Sequence, residues 1–286
     1  MKLTQEKTAA VTGAASGIGR AVALELASRG CHLALSDVDE AGLAETARLC
    51  DGHGVELTHE IVDVADRGAV LTWADQVVAD HGRVHLVVNN AGVALSYPVE
   101  TMSFDDIEWL MGINFWGVVN GTKAFLPHLA AAGEGHIVNV SSVFGLIGIP
   151  GQSAYNAAKF AVRGFTDALR IELKSSGSPV SCTTVHPGGV KTNIVRNARL
   201  DPDHVAQMGN GDAASSFDRI ARTTPEAAAR AIITGVERDR SRVVIGRDGK
   251  FIDLLTRLPA GAYQRPIIAG SRMAARKTSR KASRRR

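Results

Sequence analysis

The chain is poor in the features that define several large classes of protein. Its 286 residues include only three cysteines, Cys31, Cys50 and Cys182, with no Cys-x-x-Cys pair and no histidine cluster. That spacing argues against a disulfide framework and a zinc site, and points to buried thiols in a reducing compartment. No metal is expected. No run of about 18 consecutive apolar residues occurs, so no membrane-spanning helix is expected. The opening Met1-Lys-Leu-Thr-Gln-Glu-Lys7 lacks the apolar centre of a secretory signal. A cytoplasmic protein is expected, with peripheral membrane association through the C-terminal extension as a variant of that reading.

Charge is unevenly spread. The net charge is +4, but eight Lys and Arg residues and no acid lie from Arg272 onward, so the rest of the chain carries −4. The basic stretch is expected to be a disordered tail. It contains no interleaved aromatics, so it shows no base-stacking signature and no specific nucleic-acid partner is expected. A weak contact with an anionic surface is the functional reading of the tail; a solvated terminus is the plain one.

With 45% hydrophobic residues, the chain can build one large core. Thr8-Ala-Ala-Val11 reads as a first strand and Arg20 to Arg29 as a helix, separated by Thr12-Gly-Ala-Ala-Ser-Gly-Ile-Gly19. A glycine-rich turn between strand and helix lets backbone approach a pyrophosphate and aims a helix N-terminus at it. Gly13, Ser16, Gly17, Ile18 and Gly19 are therefore candidate cofactor residues. A second strand, Cys31 to Ser36, ends at Asp37. A carboxylate there can accept from ribose hydroxyls and repel a 2′-phosphate, which favours NAD over NADP. Arg20 stands against that reading if it reaches a phosphate, and Asp37 could instead cap the helix that follows.

Further strands are read at Glu56–Val62, before Asp63-Val64; at Val84–Val88, before Asn89-Asn-Ala-Gly92; at Gly135–Val140; at Val180–Val185; and at Val243–Ile245. A helix is read from Ala69 to Asp80. Phe104 to Leu126 reads as one long helix with Asn114 inside it, and Pro127 is a candidate kink or end. Thr224-Pro-Glu226 starts another helix. Phe251 to Leu258 is a short amphipathic candidate. The polar stretch from Asn193 to Arg222 reads as a lid or binding loop.

Tyr155 and Lys159 lie four apart in a helical stretch from Ser153 to Leu173, so they share a face. An ammonium beside a phenol favours phenolate and brings tyrosine toward acid–base work near neutral pH. Ser142 lies thirteen residues upstream, at a strand end where ligands bind open α/β sheets. Taken singly, each of these residues is ordinary surface or turn chemistry.

Taken together and in this order, the motifs resemble the short-chain dehydrogenase/reductase family. The resemblance covers roughly residues 7 to 247. It rests on Thr12–Gly19, Asp63-Val64, Asn89-Asn-Ala-Gly92, Asn114, Ser142 with Tyr155 and Lys159, and Pro187-Gly188. It implies a single-domain α/β protein with a Rossmann-like, doubly wound parallel sheet in three layers. The implied domain is 1–250, followed by an amphipathic extension at 251–271 and the tail at 272–286.

The resemblance also implies a catalytic tetrad of Asn114, Ser142, Tyr155 and Lys159. In it, Lys159 lowers the Tyr155 pKa and Asn114 holds a water leading to solvent. Beyond the glycine turn and Asp37, the implied cofactor contacts are Asp63, Val64, Asn90, Ala91, Gly92, Tyr155, Lys159, Pro187, Gly188, Val190 and Thr192. The expected reaction is hydride transfer between NAD and a secondary alcohol or ketone. The substrate is read as apolar because Val143, Phe144, Leu146, Ile147, Ile149, Val190 and Ile194 surround the motif. The other-class reading is a non-catalytic dinucleotide-binding sensor or scaffold. A homodimer or homotetramer is expected.

Overall fold

The structure, a computed structural model, describes residues 1–194, 197–201, 221–257 and 261–270. The basic stretch from Arg272 and most of the 193–222 stretch lie outside them.

Seven strands form one all-parallel sheet: β1 (Thr8–Thr12), β2 (His32–Asp37), β3 (Leu57–Ile61), β4 (Leu86–Asn89), β6 (Gly135–Val140), β7 (Val180–Pro187) and β9 (Arg242–Ile245). Their spatial order is β3-β2-β1-β4-β6-β7-β9. A two-residue pair, β5 (Leu95–Ser96) with β8 (Arg199–Leu200), stands apart from this sheet. The central strands are buried on both faces, as parallel strands covered by helices must be, and most of their residues are apolar.

One face of the sheet carries α1 (Gly17–Ala27), α2 (Glu40–Asp51) and α7 (Pro225–Glu237). The other carries α3 (Arg67–His81), α5 (Gly117–Ala131) and α6 (Ser153–Ser175). Each face has its own apolar core. On the second face, Trp73 of α3 meets Phe125 of α5 edge-on at 5.1 Å between ring centroids. This is the three-layer, doubly wound arrangement expected from the alternation of strands and helices. The chain reverses its direction of winding between β1 and β4. The crevice at the carboxyl ends of those strands is where such sheets bind ligands.

Three elements differ from the sequence reading. The helix expected to begin at Arg20 starts at Gly17, because the last glycines of the turn already form its first turn. The long helix expected at 104–126 is broken into α4 (Phe104–Met111), a π-helical turn (Gly112–Trp116) and α5. Asn114 sits in that turn and is fully buried; π turns recur at functional sites. Pro127 lies within α5 and does not end it. Finally, α8 spans Arg247–Leu255, starting four residues earlier than expected and running across residue 250.

Among the described residues no helix is long and apolar enough to cross a membrane. None of them forms a group of three or more metal-ligating side chains. The three cysteines are free and buried, and burial pushes the Cys31 and Cys50 thiols up to about 11 and that of Cys182 to about 12.

Candidate active site

The glycine turn is built by close backbone approach. A Cβ at Gly19 would stand 2.0 Å from the Gly13 carbonyl oxygen and 2.7 Å from Asn90 Nδ2. Gly13 and Gly17 have φ of +66° and +55°, a region that suits glycine. Thr12 and Asn90 hold the turn in place. Thr12 Oγ1 accepts from the backbone amides of Asn90 at 3.0 Å and Ala91 at 3.1 Å, and Asn90 Nδ2 donates to the Thr12 and Gly13 carbonyls.

Helix α1 begins here with no side-chain cap and no acid in its first turn, while Asp39, Asp66, Ser103 and Thr224 cap α2, α3, α4 and α7. Its first amides are unpaired by any side chain, at the carboxyl end of the sheet. An anion is the group that this end can take. Thr192 closes in from the loop after β7: a Cβ at Gly17 would lie 3.1 Å from its methyl.

Asp37 ends β2 and accepts from Ala15 N–H at 2.9 Å and Asp39 N–H at 3.0 Å. The cap of α2 is Asp39, which accepts from Gly42 N–H, so Asp37 is not the cap. Arg20 donates to Thr46 Oγ1 at 2.9 Å, to the Gly42 carbonyl at 3.1 Å and to the Ala15 carbonyl. Its guanidinium is thus tied to the turn and to α2. Asp63 accepts from Ala65 N–H at 2.9 Å, and the carbonyl of the buried Val64 accepts from Asn120 at 3.0 Å. Pro187 ends β7, the Gly188 amide donates to Ile245 O at 3.0 Å, and the buried Val190 bridges to Thr223.

Ser142, Tyr155, Lys159 and Asn114 converge at the ends of β4 and β6. The Ser142 hydroxyl stands beside Tyr155, where it opposes the rise in the phenol's pKa, and its Oγ accepts from Phe144 N–H at 3.1 Å. Lys159 Nζ lies 5.6 Å from the Tyr155 ring centroid and donates to the Val140 carbonyl at 3.0 Å. Asn114 clasps Val93 with both arms of its amide, each bond 2.8 Å. A Cβ at Gly92 would lie 3.1 Å from Asn114 Oδ1 and 3.6 Å from Lys159 Nζ, so these three groups meet.

The electrostatics differ from the sequence expectation. Burial pushes Tyr155 up to about 12, opposed by the neighbouring Ser142 hydroxyl, and burial lowers Lys159 to about 8. Lys159 is buried and Tyr155 half-buried, and desolvation is the largest cause of both shifts. Of the residues read as substrate-lining, Val143, Leu146, Ile147 and Val190 are buried in the protein body. Phe144, Ile149 and Ile194 are half-buried, and Phe144 stands edge-on to Tyr155 at 6.2 Å.

Two supporting residues escaped the sequence reading. His186 is fully buried and donates from Nδ1 to the Ser142 carbonyl at 2.9 Å. Burial lowers its pKa to about 4, so the ring is neutral with its proton on Nδ1, since a carbonyl only accepts. Asn156 holds the loop after Ser142. It accepts from Ile149 N–H at 3.0 Å and donates to the carbonyls of Phe144 at 2.7 Å and Ile147 at 2.8 Å. The only signal in the sequence was position: His186 directly before Pro187-Gly188, and Asn156 directly after Tyr155.

Comparison with known proteins gives the family of the chain. The sequence profile of the family described as short chain dehydrogenase matches residues 7–203. The chain belongs to that family and is an oxidoreductase by that membership. It is 52% identical to a Mycobacterium tuberculosis protein described as an oxidoreductase, SadH, over 94% of this chain and 97% of that one. It is 34% identical to the C alpha-dehydrogenase of a Sphingobium species, over 83% of this chain and 79% of that one. Among solved structures, a short-chain dehydrogenase/reductase from Burkholderia phymatum in complex with NAD superposes with a TM-score of 0.80. It shares 31% identity and covers 90% of this chain and 94% of that one.

Proposed function

We propose that this chain is an NAD-dependent dehydrogenase interconverting a secondary alcohol and a ketone, with an apolar substrate. The observation that carries the reading is the meeting of Ser142, Tyr155 and Lys159 beside an uncapped helix N-terminus at the carboxyl end of the sheet. A dinucleotide fits the residues present: Gly13, Ser16, Gly17, Ile18 and Gly19 would hold its diphosphate against the α1 amides. Asp37 would take the adenosine ribose, and Asp63 and Val64 would border the adenine. Asn90, Ala91 and Gly92 would back the cofactor, and Pro187, Gly188, Val190 and Thr192 would hold the nicotinamide carboxamide. The bound cofactor supplies a hydride acceptor or donor.

The chain's own residues handle the proton. Tyr155 takes it from the alcohol or returns it to the ketone oxygen. Ser142 donates to the same substrate oxygen and steadies the charge that develops there. Lys159, in its ammonium form, favours the tyrosinate and contacts the nicotinamide ribose. Asn114 fixes the loop at Gly92, and a water on its remaining amide donor or acceptor links Lys159 to solvent. Half-buried Phe144 and Ile149 offer the substrate an apolar wall. Trp116 and Phe160, 48% and 41% exposed on the helices that carry Asn114 and Tyr155, suit a homo-oligomer.

The test is calorimetric binding of NAD+ against NADP+, with Asp37→Ala in parallel. We expect NAD+ to bind more tightly, and the variant to lose roughly tenfold for NAD+ while gaining for NADP+. Tighter NADP+ binding by the unaltered protein would overturn the cofactor assignment.

A further inference from the structure

The turn between β9 and α8 lies outside the span that the family profile matches, yet it touches both arms of the site. Asp248, in the first turn of α8, accepts from the Gly189 amide at 2.6 Å. Its carboxylate is packed among glycines. A Cβ at Gly188 would come within 2.4 Å of it and one at Gly246 within 2.3 Å, so neither position tolerates a side chain without moving the acid. Gly246 has φ of +89°, which turns the chain sharply enough to bring Asp248 back over Gly188. One residue on, a Cβ at the buried Gly249 would meet the Val143 side chain and the Gly188 amide nitrogen at 3.3 and 3.4 Å. Val143 directly follows Ser142.

We propose that Asp248 is a positioning residue for the cofactor. Its bond to Gly189 holds the loop Pro187–Thr192 in the conformation that receives the nicotinamide end, and Gly249 seats the same turn against the Ser142 arm. The physical case is one of competition. A loop of Pro-Gly-Gly has an unusually wide backbone ensemble when free. The Gly188 amide is held by Ile245 O, and Thr223 exchanges hydrogen bonds with the Gly189 carbonyl and the Lys191 amide. The Gly189 amide has no backbone partner, and the Asp248 carboxylate is a strong acceptor for it. A loop ordered in advance does not have to be ordered on binding. The first part of α8 therefore belongs to the active site.

This inference rests on the NAD-dependent reading above, and its test separates the two. Asp248→Ala and Asp248→Asn are compared with the unaltered protein by amide hydrogen exchange of residues 188–192 without cofactor, and by calorimetric NAD+ binding. Asp248→Ala should speed exchange at Gly189 and weaken NAD+ binding by roughly tenfold. Asp248→Asn keeps an acceptor oxygen and should restore most of both. Unchanged exchange at Gly189 in Asp248→Ala, or NAD+ binding within twofold of the unaltered protein, would overturn the proposal. So would equal losses in both variants that track a lowered unfolding midpoint. If Asp248→Ala does not fold, Asp248→Asn decides: retained Gly189 protection with retained binding supports the brace, and lost binding with retained protection refutes it. Failure of the unaltered protein to bind NAD+ would count against the dinucleotide reading, while the exchange arm still tests the brace.

Discussion

The two ends of the sheet make an instructive pair. At the amino end lies a hollow of about 430 Å³, bordered by Lys7, His32, Glu56, His81 and His85. At the carboxyl end, the hollow beside Gly17 and Thr192 is only about 180 Å³. Judged by room and by titratable groups, the amino end looks like the site. Its groups are largely committed to one another, however. Lys7 pairs with Glu134 at 2.7 Å, His85 accepts from Thr8 N–H at 3.2 Å, and His32 accepts from Glu56 N–H at 3.0 Å. His81 bonds Thr58, and its buried, unpartnered Nδ1 lies 3.9 Å from Glu56. At the carboxyl end the α1 amides have no side-chain cap, and Tyr155 and Lys159 sit far from their ordinary pKa values. Burial also lowers His81 and His85, but Tyr155 and Lys159 are moved further, and large shifts beside uncapped helix amides mark a working site better than volume does.

That contrast can be broken or sharpened by substitution. The largest effect is expected at Tyr155. Tyr155→Phe should lower kcat by roughly 10²- to 10⁴-fold while NAD+ binding by calorimetry stays within about twofold. Retention of most of the turnover would remove the tyrosine from the chemistry. Next comes His186, which braces Ser142 from below. His186→Phe removes one of the two donors to the Ser142 carbonyl, which still accepts from Gly145 N–H at 2.9 Å. It should cost about 0.5–1.5 kcal/mol in denaturant unfolding and lower kcat more than it raises KM. A stability loss with kcat untouched would reduce His186 to packing.

A pH effect should follow from the buried imidazoles. His136 and His186 are both lowered to about 4 by burial. The unfolded chain takes up protons first, near 6.5. Their contribution to stability is therefore complete above about 6.5 and lost as pH falls through about 4. Urea midpoints should decline across that window, and His136→Gln should flatten the decline. The smallest effect is expected at the amino end. Lys7→Gln breaks the pair with the half-exposed Glu134 and should cost no more than about 1 kcal/mol, with kcat/KM unchanged. A substantial loss of activity there would show that the two ends are coupled.

The sequence on its own determined the order of strands and helices. Strand character is local: continuous apolar runs such as Leu33–Leu35 and Val87-Val88, punctuated by glycine, need no partner to be recognised. Helical spacing also put Tyr155 and Lys159 on one face, while Asn114 and Ser142 were expected beside them only from the family resemblance. Thr224-Pro225 marked the start of α7 for a local reason as well.

Tertiary structure decided the rest. That Asn114 interrupts its helix depends on Val93, which lies twenty-one residues away in the chain. The bonds of Arg20 to Thr46 and Gly42 of α2, twenty-six and twenty-two residues away, are likewise tertiary. The apolar run after Ser142 is divided between buried residues and a half-buried wall by Asn156, which folds the loop back on itself. His186 and Asp248 join the site through contacts with Ser142 and Gly189, forty-four and fifty-nine residues away in sequence. The pKa values of Tyr155 and Lys159 depend on burial, which helical spacing does not specify. Pattern fixes which residues share a face; only packing decides what that face meets and how much water remains there.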